Sequence, residues 1–244
     1  MTIERIQGTD GIRGIVRLAV DCSGSDPISV FLHEAVLTED FFELYTYAYC
    51  QELLEADFAS AHDLAVIGWD PRDMSGSFNH SAIRGIRKAG LTAVVVDILP
   101  TPAISLYQLY VGAACAFVLT ASHNPADQNG IKIFIGHSNL KLFAEDVKLL
   151  TQRFLCFSFE SLRSAPLIGE LRNDHAAARK LFIEFMADPQ NHWLNKDSLA
   201  GTKIIVDAAN GAFSSLIEDL LNYDLSLIHI SEPTRRTPIS YAVF

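Results

Sequence analysis

The residues with most chemistry to offer sit in LTASHNPADQNGIKIF, residues 119–134. An apolar run, AFVL, leads into Ser122, His123, Asn124 and a proline, and a second apolar run starts at Ile131. A serine hydroxyl can attack as a nucleophile or carry an ester, and a histidine can move a proton near neutrality. Adjacent side chains on a turn rarely meet in nucleophile–base geometry, and the hydrolase elbow GxSxG is absent, so the Ser122–His123 pair alone is weak support for a hydrolase. By residue type alone, Ser, Asn and Pro equally suit a turn that caps a helix. Both readings stay open at this point.

Three further polar segments have the composition of ligand loops: GTDGIRG (8–14), GWDPRDMSG (68–76) and NGIK (129–132). Glycines let backbone approach a ligand and free N–H groups for phosphate oxygens. Arg13, Arg72 and Lys132 could supply the positive charge such an anion needs, although each arginine could equally be a surface ion-pair partner. Neither the P-loop pattern GxxxxGK[ST] nor the dinucleotide pattern GxGxxG occurs. Asp10, Asp70 and Asp73 are possible magnesium ligands by type, but their spacing does not bring them together, and loop turns use Asp freely.

Composition narrows the partners. The 244 residues include 19 basic and 29 acidic side chains, a net charge of -10, which disfavours a nucleic-acid backbone as ligand. A phosphate remains compatible, because a local cluster of cations matters more than the total. Hydrophobic content of 49% supports a real core. Cys22, Cys50, Cys115 and Cys156 form no CxxC pair and suit neither a zinc knot nor a disulfide scaffold; Cys115, in an apolar run, reads as a buried thiol. No apolar run reaches membrane-spanning length and no secretory h-region opens the chain, so the expectation is a cytoplasmic protein with no membrane partner, in which the sequon at Asn79 has no meaning.

These loops need elements to position them. Thr38 is placed to cap a helix whose face carries Phe41, Leu44, Tyr45, Ala48, Tyr49 and Leu53. Strands are expected at 64–68, 92–98, 116–119 and 131–135, and helices at 77–89 (stopped by Gly90), 103–110 and 144–154. That alternation predicts a parallel or mixed α/β sheet covered by helices. Residues 158–174 read as turn-rich, with a domain boundary possible there, and 174–186 as a helix burying Leu181, Phe182, Phe185 and Met186. Then KIIV (203–206) reads as a strand, DAANG as a turn and 213–221 as a helix, the opening of a second βα unit. One strand and one helix cannot close a core, so the chain reads as truncated. The string SLIHISEPTRRTP resembles translated sequencing-adapter read-through, so residues 225–244 are expected to be a non-native tail.

TASHNP followed by NGIK resembles the phosphoserine loop of the alpha-D-phosphohexomutase family, which includes phosphoglucomutase, phosphomannomutase and phosphoglucosamine mutase. GTDGIRG, the DxRxSG-like stretch from Asp70 to Gly76, and KIIVDAANG match the same family in the same order. Trp69 departs from it, since many relatives have arginine there. The resemblance implies a three-layer α/β/α first domain over residues 1–155, an interdomain region and helix over 156–200, and the start of a similar second domain over 201–224. It implies interconversion of hexose 1- and 6-phosphates through a phosphoserine and a hexose bisphosphate. Ser122 would carry the phosphoryl group and reach magnesium through it. Arg13 and Lys132 would be the basic pair beside it, and His123 would shape the loop. Gly11, Asp70, Arg72, Asn124 and Asn129 would bind phosphate or support the loops. Magnesium and a hexose 1,6-bisphosphate activator are the implied cofactors, and sugar phosphates the partners. The family's aspartate-rich metal loop and sugar loop have no counterpart here, so the isolated chain is expected to show little or no mutase turnover. Glucose and mannose phosphates lead as substrates. The alternatives are glucosamine phosphates, or an inactive phosphate-binding or assembly module.

Overall fold

The computed structural model describes residues 5–8, 10–23, 26–136, 138–191 and 205–224. Its elements, in chain order, are β1 (Ile12–Val16), α1 (Pro27–Glu34), β2 (Val36–Leu37), α2 (Glu39–Glu55), β3 (Leu64–Trp69), α3 (Ser77–Ala89), β4 (Thr92–Ile98) and α4 (Thr101–Tyr110). They continue with β5 (Cys115–Leu119), β6 (Gln128–Ile135), α5 (Ala144–Cys156), α6 (Phe159–Ser164), β7 (Leu171–Asn173), α7 (His175–Ala187) and α8 (Ile217–Asp224). The strands form one mixed sheet in the order β2-β1-β6-β5-β3-β4-β7. β6 runs antiparallel to both β1 and β5, and the remaining neighbours are parallel.

Strand side chains alternate between two apolar cores. Ala65, Ile67, Ala93, Val95, Cys115, Phe117 and Leu119 face a core closed by α2, α3, α5 and α6. Val66, Val94, Val96, Ala116 and Val118 face the other, closed by α4 and α7. A strand buried on both faces must be apolar at every position, which is why VIG, AVVV and CAFVL run without polar interruption. The result is the expected three-layer α/β/α arrangement.

Local chemistry sets the element ends. Thr38 accepts a hydrogen bond from the Phe41 N–H at 3.2 Å and caps α2, with Glu39 and Asp40 in the first turn complementing the helix dipole. Gly90, at φ +100°, ends α3. Helices α2 and α3 meet backbone to backbone at Gly85, where a Cβ would stand 2.1 Å from the Glu43 carbonyl oxygen. Beside that contact the buried Lys88 ammonium meets Glu43 at 2.7 Å and donates to the Leu162 and Arg163 carbonyls, so a charge between helices keeps full hydrogen bonding.

Four sequence expectations change. Residues 158–174 are not simply turn-rich: α6 docks through Phe159 and Leu162, and β7 adds to the sheet edge beside β4. Both are too short for a periodicity to register. Helix α1 was likewise missed; Asp26 caps it by accepting from Ser29 N–H at 2.9 Å. In the strand expected at 203–206, residues 203 and 204 lie outside the described residues. Ile205 and Val206 pair with no strand and are 83% and 42% exposed, since an isolated β-prone run has no ladder to join. Helix α8 begins at Ile217 rather than 213, because residues 209–216 turn. The tail at 225–244 lies outside the described residues. Among the described residues, no helix is long and apolar enough to cross a membrane.

Candidate active site

The polar loops gather at one edge of the sheet, where β3, β4 and β5 end. Ser122 lies three residues past β5, half-buried, with φ at +55°. A left-handed backbone is costly for a side chain with a Cβ and persists only where surroundings impose it. Here they do. The Ser122 N–H donates to Thr120 Oγ1 at 2.8 Å, and the Thr120 hydroxyl donates to Asp70 Oδ2 at 2.5 Å. Asp70 also holds Arg72, whose Nε lies 2.8 and 2.9 Å from its two oxygens.

Arg72 then grips the serine loop itself. Its Nη2 donates to the Ser122 carbonyl at 2.7 Å, and its Nη1 to the Gln128 and Pro125 carbonyls at 2.5 and 3.2 Å. The side chain is only 8% exposed. Arg72 was expected to supply free positive charge or loop support, and in this geometry its planar fork is spent on loop carbonyls. Asn124 Nδ2 closes the loop on Gln128 Oε1 at 2.7 Å. His123 is exposed on the turn.

Arg13 was expected in a loop but stands inside β1, while Lys132, where the NGIK segment runs into the strand expected at 131–135, stands inside β6. Their glycines explain this. Gly11 (φ +93°) and Gly130 bring the two strands together where a Cβ would stand 2.2 Å and 2.0 Å from the carbonyls of Ile131 and Ile12. Arg13 pairs opposite Gly130, and the Gly130 carbonyl accepts the Thr120 N–H at 2.9 Å. Arg13, Gly130 and Thr120 therefore lie abreast on β1, β6 and the end of β5, two residues before Ser122. Lys132, two residues from Gly130, shares its face of the pleat with Arg13. Buried Asn129 accepts from the Gly130 N–H at 2.8 Å and so turns its amide onto its own backbone.

Asp10 ties the cations together. Its carboxylate meets Arg13, Lys141 and, at 3.4 Å, Lys132. Partial burial pulls this carboxyl upward, but the Lys141 hydrogen bond and the charges of Lys132, Lys141 and Arg13 outweigh it and hold it below the usual range. Burial pushes the Lys132 ammonium below its own usual value, with Asp10 pulling the other way. Sequence reasoning weighed Asp10 only as a metal ligand and missed Thr120, Gln128 and Lys141. Thr120 adjoins the serine motif and was within reach, whereas Lys141 comes from beyond β6 and carries no local signal. Asp10, Asp70 and Asp73 are each committed to different protein partners.

Comparison with known proteins bears on the fold and the family. Residues 4–154 match the family model described as phosphoglucomutase/phosphomannomutase, alpha/beta/alpha domain I. The chain is 31% identical over 219 residues to a phosphoglucosamine mutase from Janthinobacterium sp. (strain Marseille), covering 88% of this chain and 43% of that protein. It is 34% identical over 216 residues to a phosphoglucosamine mutase from Vibrio cholerae serotype O1 (strain M66-2), covering 85% and 41%. The chain thus spans about two-fifths of the length of these relatives. Among solved structures it resembles a phosphoglucomutase/phosphomannomutase family protein from Burkholderia thailandensis (TM-score 0.62, 20% identity, 91% of this chain and 43% of that one). It also resembles the open form of parafusin, a phosphoglucomutase from Paramecium (TM-score 0.56, 16% identity, 91% and 41%). Those two likenesses speak for the fold, and the family match over most of the described sheet speaks for descent: the chain belongs to the phosphoglucomutase/phosphomannomutase family and carries its alpha/beta/alpha domain I.

Proposed function

We propose that this chain carries the phosphoserine half of a hexose phosphate mutase, with Ser122 as the phosphoryl carrier and glucosamine phosphates as its leading substrates. The observation that carries the reading is the Ser122 turn. A half-buried Arg72–Asp70–Thr120 network holds a serine in a left-handed conformation, with the Arg13–Lys132 pair on the neighbouring strands. Rigid placement of that kind suits phosphoryl transfer, where positioning and charge stabilisation do most of the work.

In the proposed step, a hydroxyl oxygen of the hexose phosphate bonds to the phosphorus of the Ser122 ester. The P–Oγ bond breaks and the hydroxyl proton ends on Ser122 Oγ. The bisphosphate reorients and returns its other phosphoryl group to Ser122. Arg13 would stabilise the transferring group as a fixed fork, and Lys132, its ammonium made easier to deprotonate by burial, would help steer the proton. His123 and Asn124 would shape the loop, and Gly11 would support it by letting its strand approach the Ile131 backbone. Residues 1–155 would form the phosphoserine-bearing domain. Magnesium, which the family resemblance implies, is a poor fit to these residues alone: among the described residues no group of three or more His, Cys, Asp or Glu could hold a metal ion. No step is routed through it.

The substrate preference moves away from glucose and mannose phosphates, which lead by motif alone, because the curated relatives described above are named phosphoglucosamine mutases. Intact-mass spectrometry after incubation with glucosamine 1,6-bisphosphate tests the proposal. One added phosphoryl group is expected on the native chain and none on Ser122→Ala. Parallel incubations with the glucose and mannose bisphosphates rank the sugars. An unmodified native chain with all three, or equal modification of Ser122→Ala, overturns the assignment.

A further inference from the structure

Of the three cations around Asp10, the proposed transfer uses Arg13 and Lys132 and leaves Lys141 without a role. Lys141 lies beyond β6, where the chain turns back. The Ile135 N–H donates to the Leu140 carbonyl at 2.7 Å, and Lys141 pairs with Phe134 as an isolated antiparallel bridge. Leu142 anchors the next residue in the core. So held, the Lys141 side chain reaches Asp10, 131 residues away in the chain, and stays 43% exposed. An ion pair this open to water adds little to stability. Its consequence is geometric.

The Asp10 carboxylate divides its two oxygens among the cations. Oδ1 accepts from Lys141 Nζ, whereas Oδ2 accepts from Arg13 Nη2 and lies 3.4 Å from Lys132 Nζ. Arg13 thus meets the carboxylate with one prong of its fork. A guanidinium beside an open carboxylate favours two parallel bonds, one to each oxygen. The neighbouring loop shows what a two-oxygen grip does. Asp70, with no lysine on it among the described residues, holds Arg72 Nε through both oxygens, at 2.8 and 2.9 Å. That guanidinium is spent on the framework. Lys141 occupies the oxygen that would let Asp10 do the same to Arg13.

We propose that Lys141 is a positioning residue of the transfer site: it holds Asp10 by one oxygen and so keeps the Arg13 fork open to a phosphoryl group. The inference rests on the reading of Ser122 as the phosphoryl carrier. Lys141 need not touch the sugar phosphate, because its effect passes through Asp10 to Arg13. Without it, the carboxylate turns both oxygens to Arg13 and competes there with the phosphoryl oxygens.

The rate of phosphoryl uptake from glucosamine 1,6-bisphosphate, with the glucose and mannose bisphosphates in parallel, tests it for the native chain, Lys141→Met and the double variant Lys141→Met/Asp10→Asn. Lys141→Met is expected to slow uptake about tenfold, with an unchanged circular dichroism spectrum, and the double variant to regain about fivefold over it. A lysine that only supported the fold, or that touched the substrate itself, would gain nothing from removal of the Asp10 charge. Nitrogen-labelled arginine spectra of the unphosphorylated chains read the guanidinium directly, with Arg13→Lys assigning its signals. The Arg13 Nη resonances are expected to average in the native chain, to separate in Lys141→Met as a two-pronged grip stops their rotation, and to average again in the double variant. Native-like uptake by Lys141→Met, no recovery in the double variant, or identical Arg13 spectra in the native chain and Lys141→Met each overturns the proposal. No uptake by the native chain, with the Arg13 spectra changing as expected, overturns the Ser122 reading instead and leaves the restraint on Asp10 standing.

Discussion

The serine loop and the groove beside it, lined by Trp69, Asn79 and Asp97 among others, are built from the same strand ends, yet they treat polar groups in opposite ways. Around Ser122 the network is satisfied. Arg72 meets Asp70 and three carbonyls, and Thr120 links Asp70 to the Ser122 N–H. Over the ends of β3 and β4, by contrast, the half-exposed Asp97 carboxylate and the buried Asn79 Oδ1 have no partner among the described residues. A satisfied network positions a backbone, because every deviation breaks several bonds at once. A half-exposed carboxylate such as Asp97 positions nothing, because water can satisfy it. Trp69 and Asp70, adjacent in sequence, fall on opposite sides of this division.

The comparison can be broken at its strongest point first. Ser122→Ala should abolish phosphoryl uptake while leaving urea-induced unfolding close to native, because the network grips the backbone of residue 122 and not its hydroxyl. Next, Arg72→Ala should destabilise the chain by about 1–2 kcal/mol in urea denaturation, since it leaves the Asp70 carboxylate without its ion pair and three half-exposed loop carbonyls without their donor. It should also slow phosphoryl uptake. An Arg72→Ala chain of native stability would show that the loop holds its shape without the clamp.

A similar effect is expected one link along. Thr120→Val removes the bond to Asp70 and the acceptor for the Ser122 N–H, and should cost about 1–2 kcal/mol. On the groove side, Asp97→Asn should change stability by less than about 0.5 kcal/mol, because no partner is lost. A large loss there would mean that Asp97 belongs to the folded framework, and the contrast between the two regions would fail.

The smallest effect concerns acid. Asp10 is held below its usual value by its basic neighbours, so its contribution to stability is complete above the unfolded carboxyl value of 3.8 and is lost as pH falls through the lower, folded value. Asp10→Asn should therefore remove a shallow component of acid destabilisation below about pH 4, with little effect at neutral pH after salt screening. Unfolding midpoints measured against pH for the two chains check this.

Much was legible in the amino-acid order because it is local. Doubly buried strands had to be apolar at their centres, so the runs within 64–68, 92–98 and 116–119 announced themselves. Thr38 and Gly90 marked helix ends through caps that act within a turn. The serine motif identified the chemical residue, and its resemblance to a family placed the fold before any coordinate. Short elements escaped: β7 has three residues and is exposed along its length, leaving no hydrophobic pattern to read.

What only the tertiary structure decided was pairing at a distance. Nothing near Arg72 in sequence indicates that its guanidinium would close on the carbonyls of Ser122, Pro125 and Gln128, 50 to 56 residues away. Nor does spacing reveal that Asp10 would gather Lys132 and Lys141, or that Asp97 would face a groove without a partner. Composition and periodicity report which residues can be buried or charged. Which charge meets which depends on strand order and register, and here the antiparallel insertion of β6 between β1 and β5 carries Arg13 and Lys132 to the strands beside Ser122.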